Sequence, residues 1–156
     1  MYKYTNGLRE WTLDKESFSI EFYKKCKIFN INPQYVRFYS QQDEDKYIIQ
    51  YLLKNKINDG TYLEIGACDG ILYSNTKILE DFFGFKGILI EPQPTFFFNL
   101  KQNRSNNELY NCAVTNNDSI EIDFIGDNGE GGILNNINTD LSSYKRWKPY
   151  KVKNRK

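Results

Sequence analysis

Residues 61–70, Thr-Tyr-Leu-Glu-Ile-Gly-Ala-Cys-Asp-Gly, constrain the fold more than any other part of the chain. The apolar run from Tyr62 to Ile65 predicts a short buried strand, and Gly66 and Gly70 predict a loop after it. Apolar residues then recur at the spacing of one helix face, namely Ile78, Leu79, Phe82 and Phe83. A strand, a glycine loop and a helix in this order predict a parallel α/β sheet that binds a nucleotide-like ligand at the carboxyl end of the strand.

A second strand, predicted over residues 86–91, ends in an acid. Glu91 follows Gly70 by 21 positions. An acid about 20 residues beyond the glycine loop is where such folds hold the hydroxyls of a ribose. A carboxylate there accepts hydrogen bonds from a cis diol and repels a phosphate, so the loop and the acid together favour an adenosine-type ligand.

The spacing of the glycines favours some ligands over others. The dinucleotide fingerprint is Gly-x-Gly-x-x-Gly, whereas this chain has Glu64-x-Gly66-x-x-x-Gly70, with Cys68 in place of the middle glycine. An acid before the first glycine suits a ligand with a cationic amine, such as S-adenosylmethionine, better than a pyrophosphate. An NAD-dependent oxidoreductase is therefore the weaker alternative. An ordinary strand-to-helix turn explains the glycines, but not Glu64 and Glu91 together.

A set of short motifs over residues 39–135 resembles the FkbM family of S-adenosylmethionine-dependent methyltransferases. The motifs are Tyr39-Ser-Gln-Gln-Asp-Glu-Asp-Lys46, Leu63-Glu-Ile-Gly-Ala-Cys-Asp-Gly70, Ser74-Asn-Thr76, Gly87-Ile-Leu-Ile-Glu-Pro92, Asn103-Arg104 and Cys112-Ala-Val114. The family often has glycine where this chain has Asp43. The resemblance implies a Rossmann-like class I methyltransferase fold, in which helices flank a parallel sheet. It also implies methyl transfer to a hydroxyl of a sugar, a lipid-linked glycan or a small molecule.

The resemblance further implies residues that bind S-adenosylmethionine. Glu64 would orient the methionine amine, Asn75 would bind the methionine carboxylate, and Glu91 would hold the ribose. Cys112 and Ala113 would border the adenine, where a small side chain leaves room for the ring. The complete predicted set is Gln41, Asp45, Glu64, Gly66, Asp69, Gly70, Asn75, Glu91, Cys112 and Ala113.

Composition narrows the chemistry that the chain can perform. It has no histidine, which removes the commonest general base and metal ligand, and we identify neither a catalytic base nor a metal site. Its three cysteines are far apart, which predicts reduced thiols rather than a disulfide framework. There is no apolar run of membrane-spanning length and no signal-peptide core, which predicts a cytoplasmic protein. The 18 asparagines, with many Ile, Lys and Tyr, are typical of AT-rich genomes such as those of some bacteria or large DNA viruses.

The sequence predicts three regions. Residues 1–38 form a helical extension, with a helix over 14–29 that Asp14 caps. Residues 39–140 form the Rossmann-like domain, with a helix over 42–56 in which the acids 43–45 either cap the first turn or approach the cofactor. A helix follows Pro94, with Phe96, Phe97 and Leu100 towards the sheet and Lys101 and Arg104 in solvent. Residues 141–156 form a basic tail, for which a solvated terminus is favoured over binding to nucleic acid.

The predicted sheet lacks its second half, which indicates a C-terminally truncated domain. Strand three is predicted over 109–114, a half-exposed strand over 119–125, and a flexible glycine loop over 126–132. In a full domain of this class the ligand lies between two half-sheets. The first hypothesis is accordingly a methyltransferase. The second is a remnant protein that binds the cofactor without turnover of its own, or whose sheet is completed by a partner chain or a second copy.

Overall fold

The computed structural model divides the chain into two compact units. One comprises Met1–Tyr62 and Ile71–Lys86, and the other comprises Leu63–Gly70 and Gly87–Lys156. Helices and a three-stranded parallel sheet are both present, so the protein belongs to the mixed α/β class that the sequence predicts. The residues that the structure describes are 3–5, 8–10, 20–28, 30, 32, 36–116, 121–127, 130–134 and 150–155.

The first unit contains two α-helices and a π-helical segment. α1 spans Ile20–Ile28 and confirms the second part of the helix predicted over 14–29, whose beginning and cap lie outside the described residues. α2 spans Glu44–Lys54, close to the predicted bounds. The π-helical segment, Leu79–Phe83, occupies the place of the helix predicted after the glycine loop. Of the helices in the described ranges, none is long and apolar enough to cross a membrane.

The predicted helical extension also contains strands. β1 (Lys3–Thr5) pairs antiparallel with β2 (Leu8–Glu10), with Tyr4 opposite Arg9. This pairing was not predicted, because neither three-residue strand has the alternation of apolar and polar residues over four to eight positions that marks a strand in sequence.

Apolar side chains from each helical segment form the core of the first unit. Phe22 and Cys26 on α1 are fully buried, and the Phe22 ring stacks on Phe82 of the π-helical segment with 5.3 Å between ring centroids. Ile49 and Leu53 of α2 join the same cluster. Residues four apart lie on one face of a helix, which explains why each of these helices buries a single stripe.

The parallel sheet lies mainly in the second unit, and its strand order is β3-β4-β5. β3 spans Thr61–Ile65, β4 spans Lys86–Ile90 and β5 spans Glu108–Tyr110. α3, Pro94–Asn103, connects β4 to β5, and Pro94 stands in its first turn as predicted. This order confirms the prediction that the three strands are neighbours in sequence order, as two crossovers on one side require.

The first strand of the sheet is more exposed than the sequence predicts. Leu63 is 58% exposed and Ile65 is 59% exposed, while Glu64 between them is buried. The prediction of a buried strand is therefore wrong. Successive side chains of a strand point to opposite faces of the sheet, so Leu63 and Ile65 lie on one face and Glu64 on the other. Ile88 of the neighbouring β4 is also 37% exposed, so exposure is not a property of the edge strand alone. An apolar run identifies a strand, but it does not show which face of the sheet is covered.

A second sheet in the same unit has the strand order β6-β9-β7-β8. Its strands are β6 (Ala113–Val114), β7 (Glu121–Asp127), β8 (Glu130–Ile133) and β9 (Tyr150–Arg155). Strand three, predicted over 109–114, is thus divided between β5 and β6. Ile122 and Phe124 are buried and Asp123 is half-buried, which confirms the predicted alternation in β7.

Two segments predicted to lack regular structure belong to this second sheet. Within the predicted glycine loop, β7 and β8 pair antiparallel, with Asp127 opposite Glu130 and Gly126 opposite Gly131. A Cβ atom on Gly131 would lie 2.9 Å from the Cα atom of Gly126, so glycine permits close pairing here. The end of the predicted basic tail forms β9, where Lys151 makes a 2.9 Å ion pair with Asp123 across the strands.

A buried lysine lies in the core of the first unit. Lys25 is 8% exposed, and its Nζ atom donates a 3.0 Å hydrogen bond to Asn58 Oδ1. The same Nζ atom lies 3.8 Å from the centroid of the Phe83 ring. Burial lowers the pKa of the Lys25 ammonium group from its ordinary value of 10.5, because the charged form loses hydration.

Replacement of Lys25 by methionine is expected to change how stability depends on pH. Because the pKa of Lys25 is lower in the folded chain, the unfolded chain binds more protons between that pKa and 10.5, and the free energy of unfolding rises with pH across this window. Lys25→Met has no group to titrate there. Its free energy of unfolding should therefore fall progressively behind that of the wild type as the pH approaches 10.5.

Urea denaturation over this pH range measures the difference. Lys24→Met is the matched control, because it makes the same substitution at the exposed neighbour on α1, so the difference between the two variants isolates the burial of Lys25. Equal pH dependence in Lys25→Met and the wild type would contradict the lowered pKa.

Candidate functional site

The glycine loop is held at the carboxyl end of β4. The backbone N–H groups of Gly66 and Ala67 both donate to the Ile90 carbonyl oxygen, at 2.8 and 3.0 Å. The loop closes on itself through a 2.8 Å bond from the Gly70 N–H group to the Ala67 carbonyl. Gly66 and Gly70 have φ angles of +78° and +81°, in the left-handed region that glycine adopts without steric cost.

Glu91 lies against this loop, as its position in the sequence predicts. It comes directly after β4 and is 3% exposed. Its Oε2 atom accepts a 2.8 Å hydrogen bond from the Cys68 N–H group, and its Oε1 atom accepts a 2.7 Å bond from the Gln93 N–H group. Each carboxylate oxygen has a second lone pair, so the group has the acceptor capacity that a cis diol needs.

Burial and hydrogen bonding shift the pKa of the Glu91 carboxyl in opposite directions. Desolvation raises its pKa, while the hydrogen bonds from the Gln93 and Cys68 N–H groups lower it. Desolvation is the larger of these effects. The two backbone donors favour the charged form and so offset part of that cost.

Three carboxylates surround the thiol of Cys68, which is half-buried. Burial, and then the negative charges of Glu91, Asp69 and Glu64, raise the pKa of Cys68 to about 12. The thiol is therefore protonated at neutral pH and is a poor nucleophile.

Arg104 is a site residue that the sequence analysis missed. It was predicted to lie in solvent, yet it is 0% exposed. Its Nη1 atom donates a 2.9 Å hydrogen bond to the Gly70 carbonyl and lies 3.8 Å from Glu64 Oε2. The signal was the spacing, because Arg104 directly follows α3 and stands four residues after the buried Leu100, to whose carbonyl its N–H group donates. Lys101 is exposed, as predicted.

Two asparagines hold the neighbouring backbone. The Asn103 side chain donates a 2.8 Å bond to the carbonyl of Asp69, whose own side chain is half-buried. Asn111 Nδ2 donates to the carbonyls of Glu91 and Pro92 at 2.8 and 3.1 Å. These amides fix the loop and the segment after β4 without adding charge.

Cys112 and Ala113 follow β5, in the chain segment that begins beside Glu91. The Glu91 N–H group donates to the Tyr110 carbonyl at 3.0 Å, and Asn111 comes next. Cys112 and Ala113 are buried. The Ala113 side chain packs in the apolar cluster of the second sheet, with Ile122, Phe124 and Val152.

Three predicted residues, Gln41, Asp45 and Asn75, belong to the first unit, whereas all the others belong to the second. Gln41 and Asn75 are exposed, and Asp45 is fully buried. The Asp45 carboxylate accepts hydrogen bonds from the Tyr39 N–H, the Ser40 N–H, the Ser40 hydroxyl and the Lys46 N–H, at 2.6 to 3.2 Å. These contacts assign Asp45 to anchoring the chain at the start of α2.

Within the described residues, no group of three His, Cys, Asp or Glu side chains could hold a metal ion. The comparisons with known proteins returned no match, whether to a protein-family model, to a curated protein or to a solved structure.

The two loop glycines provide a matched test of how the loop is built. A Cβ atom on Gly70 would lie 2.5 Å from Arg104 Cγ and 2.6 Å from Leu100 Cδ1, whereas a Cβ on Gly66 would meet nothing within 4 Å. Gly66→Ala should lower the free energy of unfolding by about 1 kcal/mol, the cost of the left-handed backbone alone. Gly70→Ala should lower it by about 3 kcal/mol, because steric overlap adds to that cost.

Chemical denaturation of the two variants measures this difference. The backbone cost is shared, so the comparison isolates the packing of Arg104 and Leu100 beneath Gly70. Equal losses in the two variants would show that these side chains do not restrict position 70.

Proposed function

We propose that the chain binds S-adenosylmethionine at the glycine loop and transfers its methyl group to a hydroxyl of a sugar or small molecule. One observation carries the proposal: the Glu91 carboxylate, at the end of β4, accepts a hydrogen bond from Cys68 in the loop that follows β3. A glycine loop and an acid at the carboxyl ends of adjacent parallel strands are the arrangement that holds the ribose of a nucleoside ligand.

The charge of the site supports a cationic ligand. Glu91 contacts the loop through the Cys68 N–H group, and Asp69 belongs to the loop itself. Arg104 lies beside Glu64 and offsets its charge. Burial, and then the charges of these acids, raise the pKa of the Cys68 thiol. S-adenosylmethionine has a sulfonium and an ammonium group, whereas NAD has an anionic pyrophosphate. In the proposed mode Glu91 accepts the ribose hydroxyls, Asp69 faces the methionine ammonium group, and Cys112 borders the adenine.

The proposed reaction places modest demands on the protein. S-adenosylmethionine, held through Glu91 and Asp69, would supply an activated methyl group; breaking its sulfur–methyl bond would release S-adenosylhomocysteine, and the acceptor hydroxyl would lose its proton to solvent. The residues of the chain hold the ligand so that sulfur, methyl and acceptor oxygen are in line, and this alignment is a large part of the rate acceleration. No residue is assigned as the base.

A second function, cofactor binding without turnover, is favoured by the position of β3. Doubly wound sheets bind their ligand at a point with strands on both sides, whereas β3 is an edge strand within the described residues. Under this alternative a partner chain or a second copy supplies the neighbouring strand. Binding and turnover measured on one purified sample separate the two functions, because only the methyltransferase releases S-adenosylhomocysteine when hydroxyl acceptors are added.

Glu91→Gln is expected to weaken binding of S-adenosylhomocysteine while leaving the chain folded. The substitution keeps an oxygen that can accept a backbone hydrogen bond but removes the charged acceptor for the diol. Loss of a charged hydrogen bond is worth about 1.5–3 kcal/mol, or roughly 10- to 100-fold in the dissociation constant. Isothermal titration calorimetry measures the affinity, with NAD titrated in parallel as the competing ligand.

Glu108→Gln is the control, because Glu108 is an exposed acid on β5 and is not among the groups that act on Cys68. Its affinity should equal that of the wild type. Unchanged affinity in Glu91→Gln would remove Glu91 from the site, and tighter binding of NAD than of S-adenosylhomocysteine would reject the proposed ligand.

A further inference from the structure

Arg104 contacts both the backbone and an acid of the candidate site. Its guanidinium group lies 2.9 Å from the Gly70 carbonyl and 3.8 Å from Glu64 Oε2, and the side chain is 0% exposed. Burial of a cation is costly unless a countercharge and hydrogen bonds compensate it. Glu64 and the Gly70 carbonyl provide both, and Glu64 is itself buried.

The aliphatic part of Arg104 also determines the path of the loop. It lies directly beneath Gly70, where a Cβ atom would come within 2.5 Å of Arg104 Cγ. The stem of the side chain therefore limits residue 70 to glycine, and the guanidinium group fixes the direction of its carbonyl. Arg104 acts on the loop through packing, through a hydrogen bond and through charge.

We infer that Arg104 is a positioning residue for this site, one that orients the glycine loop and compensates the charge of Glu64. The inference rests on the proposed function for its effect on ligands. Arg104 cancels much of the field of Glu64, so this pair sets how strongly the pocket prefers a sulfonium to a neutral thioether. S-adenosylmethionine has the sulfonium, and S-adenosylhomocysteine has the neutral thioether.

The first measurement needs no ligand. Free energies of unfolding are determined for the wild type, Arg104→Met, Glu64→Gln and the double variant. Loss of Arg104 alone leaves Glu64 buried without its countercharge, whereas the double variant removes both charges. The double variant should therefore be less destabilised than the sum of the single variants. Additive losses would overturn the pairing of Arg104 with Glu64.

The second measurement is the ratio of the dissociation constant of S-adenosylhomocysteine to that of S-adenosylmethionine, in each variant. Arg104→Met removes the positive charge beside Glu64 and should raise this preference for the sulfonium by about threefold or more, while Glu64→Gln should lower it by a similar factor. The double variant should return towards the wild-type ratio. If Arg104 only supports the fold, its substitution would weaken the binding of both ligands equally and leave the ratio of dissociation constants unchanged.

Two further variants make the result decisive. Arg104→Lys keeps the charge but not the planar fork of donors, so both affinities should fall while the ratio stays at the wild-type value. If Arg104→Met does not fold, Arg104→Lys and Glu64→Gln together provide the test. Lys101→Met, on the exposed side of α3, should change neither quantity.

The two measurements also separate this inference from the proposed function. If the wild type binds neither ligand, the proposed function fails, and so does the inferred effect of Arg104 on the preference for a sulfonium. The unfolding measurements still decide whether Arg104 pairs with Glu64. If the ligands bind and the ratio is the same in all variants, the proposed function stands and charge compensation by Arg104 is overturned.

Discussion

The hydrogen bonds that join the glycine loop to the end of β4 are the constraint on which the candidate site depends. Two N–H groups of the loop share the Ile90 carbonyl, and a third, that of Cys68, donates to Glu91. Consecutive N–H groups of an extended strand point to opposite edges of that strand, so those of Gly66 and Ala67 could not both reach the Ile90 carbonyl. The chain must therefore change direction directly after Ile65. Positive φ angles at Gly66 and Gly70 make that change inexpensive.

Charge is distributed around the loop in two layers. Beneath the loop, the buried pair of Arg104 and Glu64 supports the backbone of Gly70. At its other side, Glu91 accepts two backbone hydrogen bonds, and the combined field of the acids raises the pKa of Cys68. The ion pair with Arg104 compensates the charge of Glu64, while Glu91 retains hydrogen-bond acceptor capacity for a ligand.

The sequence predicted the parts of the fold that depend on local pattern and on connection rules. The glycine loop, the strand order and the contact between the loop and Glu91 follow from spacing along the chain. Other features depend on tertiary context that spacing does not contain. Leu63 and Ile65 are exposed because their side chains share a face of the sheet that the described residues do not cover, and Asp45 is an anchor because four donors converge on it. Arg104 was misjudged by its charge, although its spacing from Leu100 indicated burial. The pairing of β7 with β8 was not predicted because the glycines of residues 126–132 indicated flexibility, whereas Gly126 and Gly131 lie opposite each other in that pair.

The most direct test of the account is a titration of the isotope-labelled chain with S-adenosylhomocysteine, followed by the backbone amide resonances of Cys68 and Gln93. Both N–H groups donate to the Glu91 carboxylate, so hydroxyl groups that bind this carboxylate must alter both resonances. The account predicts that these two resonances shift together and saturate with the ligand, while those of Lys151 and Lys153 in the second sheet stay in place. Saturation of binding without a change at Cys68 and Gln93 would contradict it.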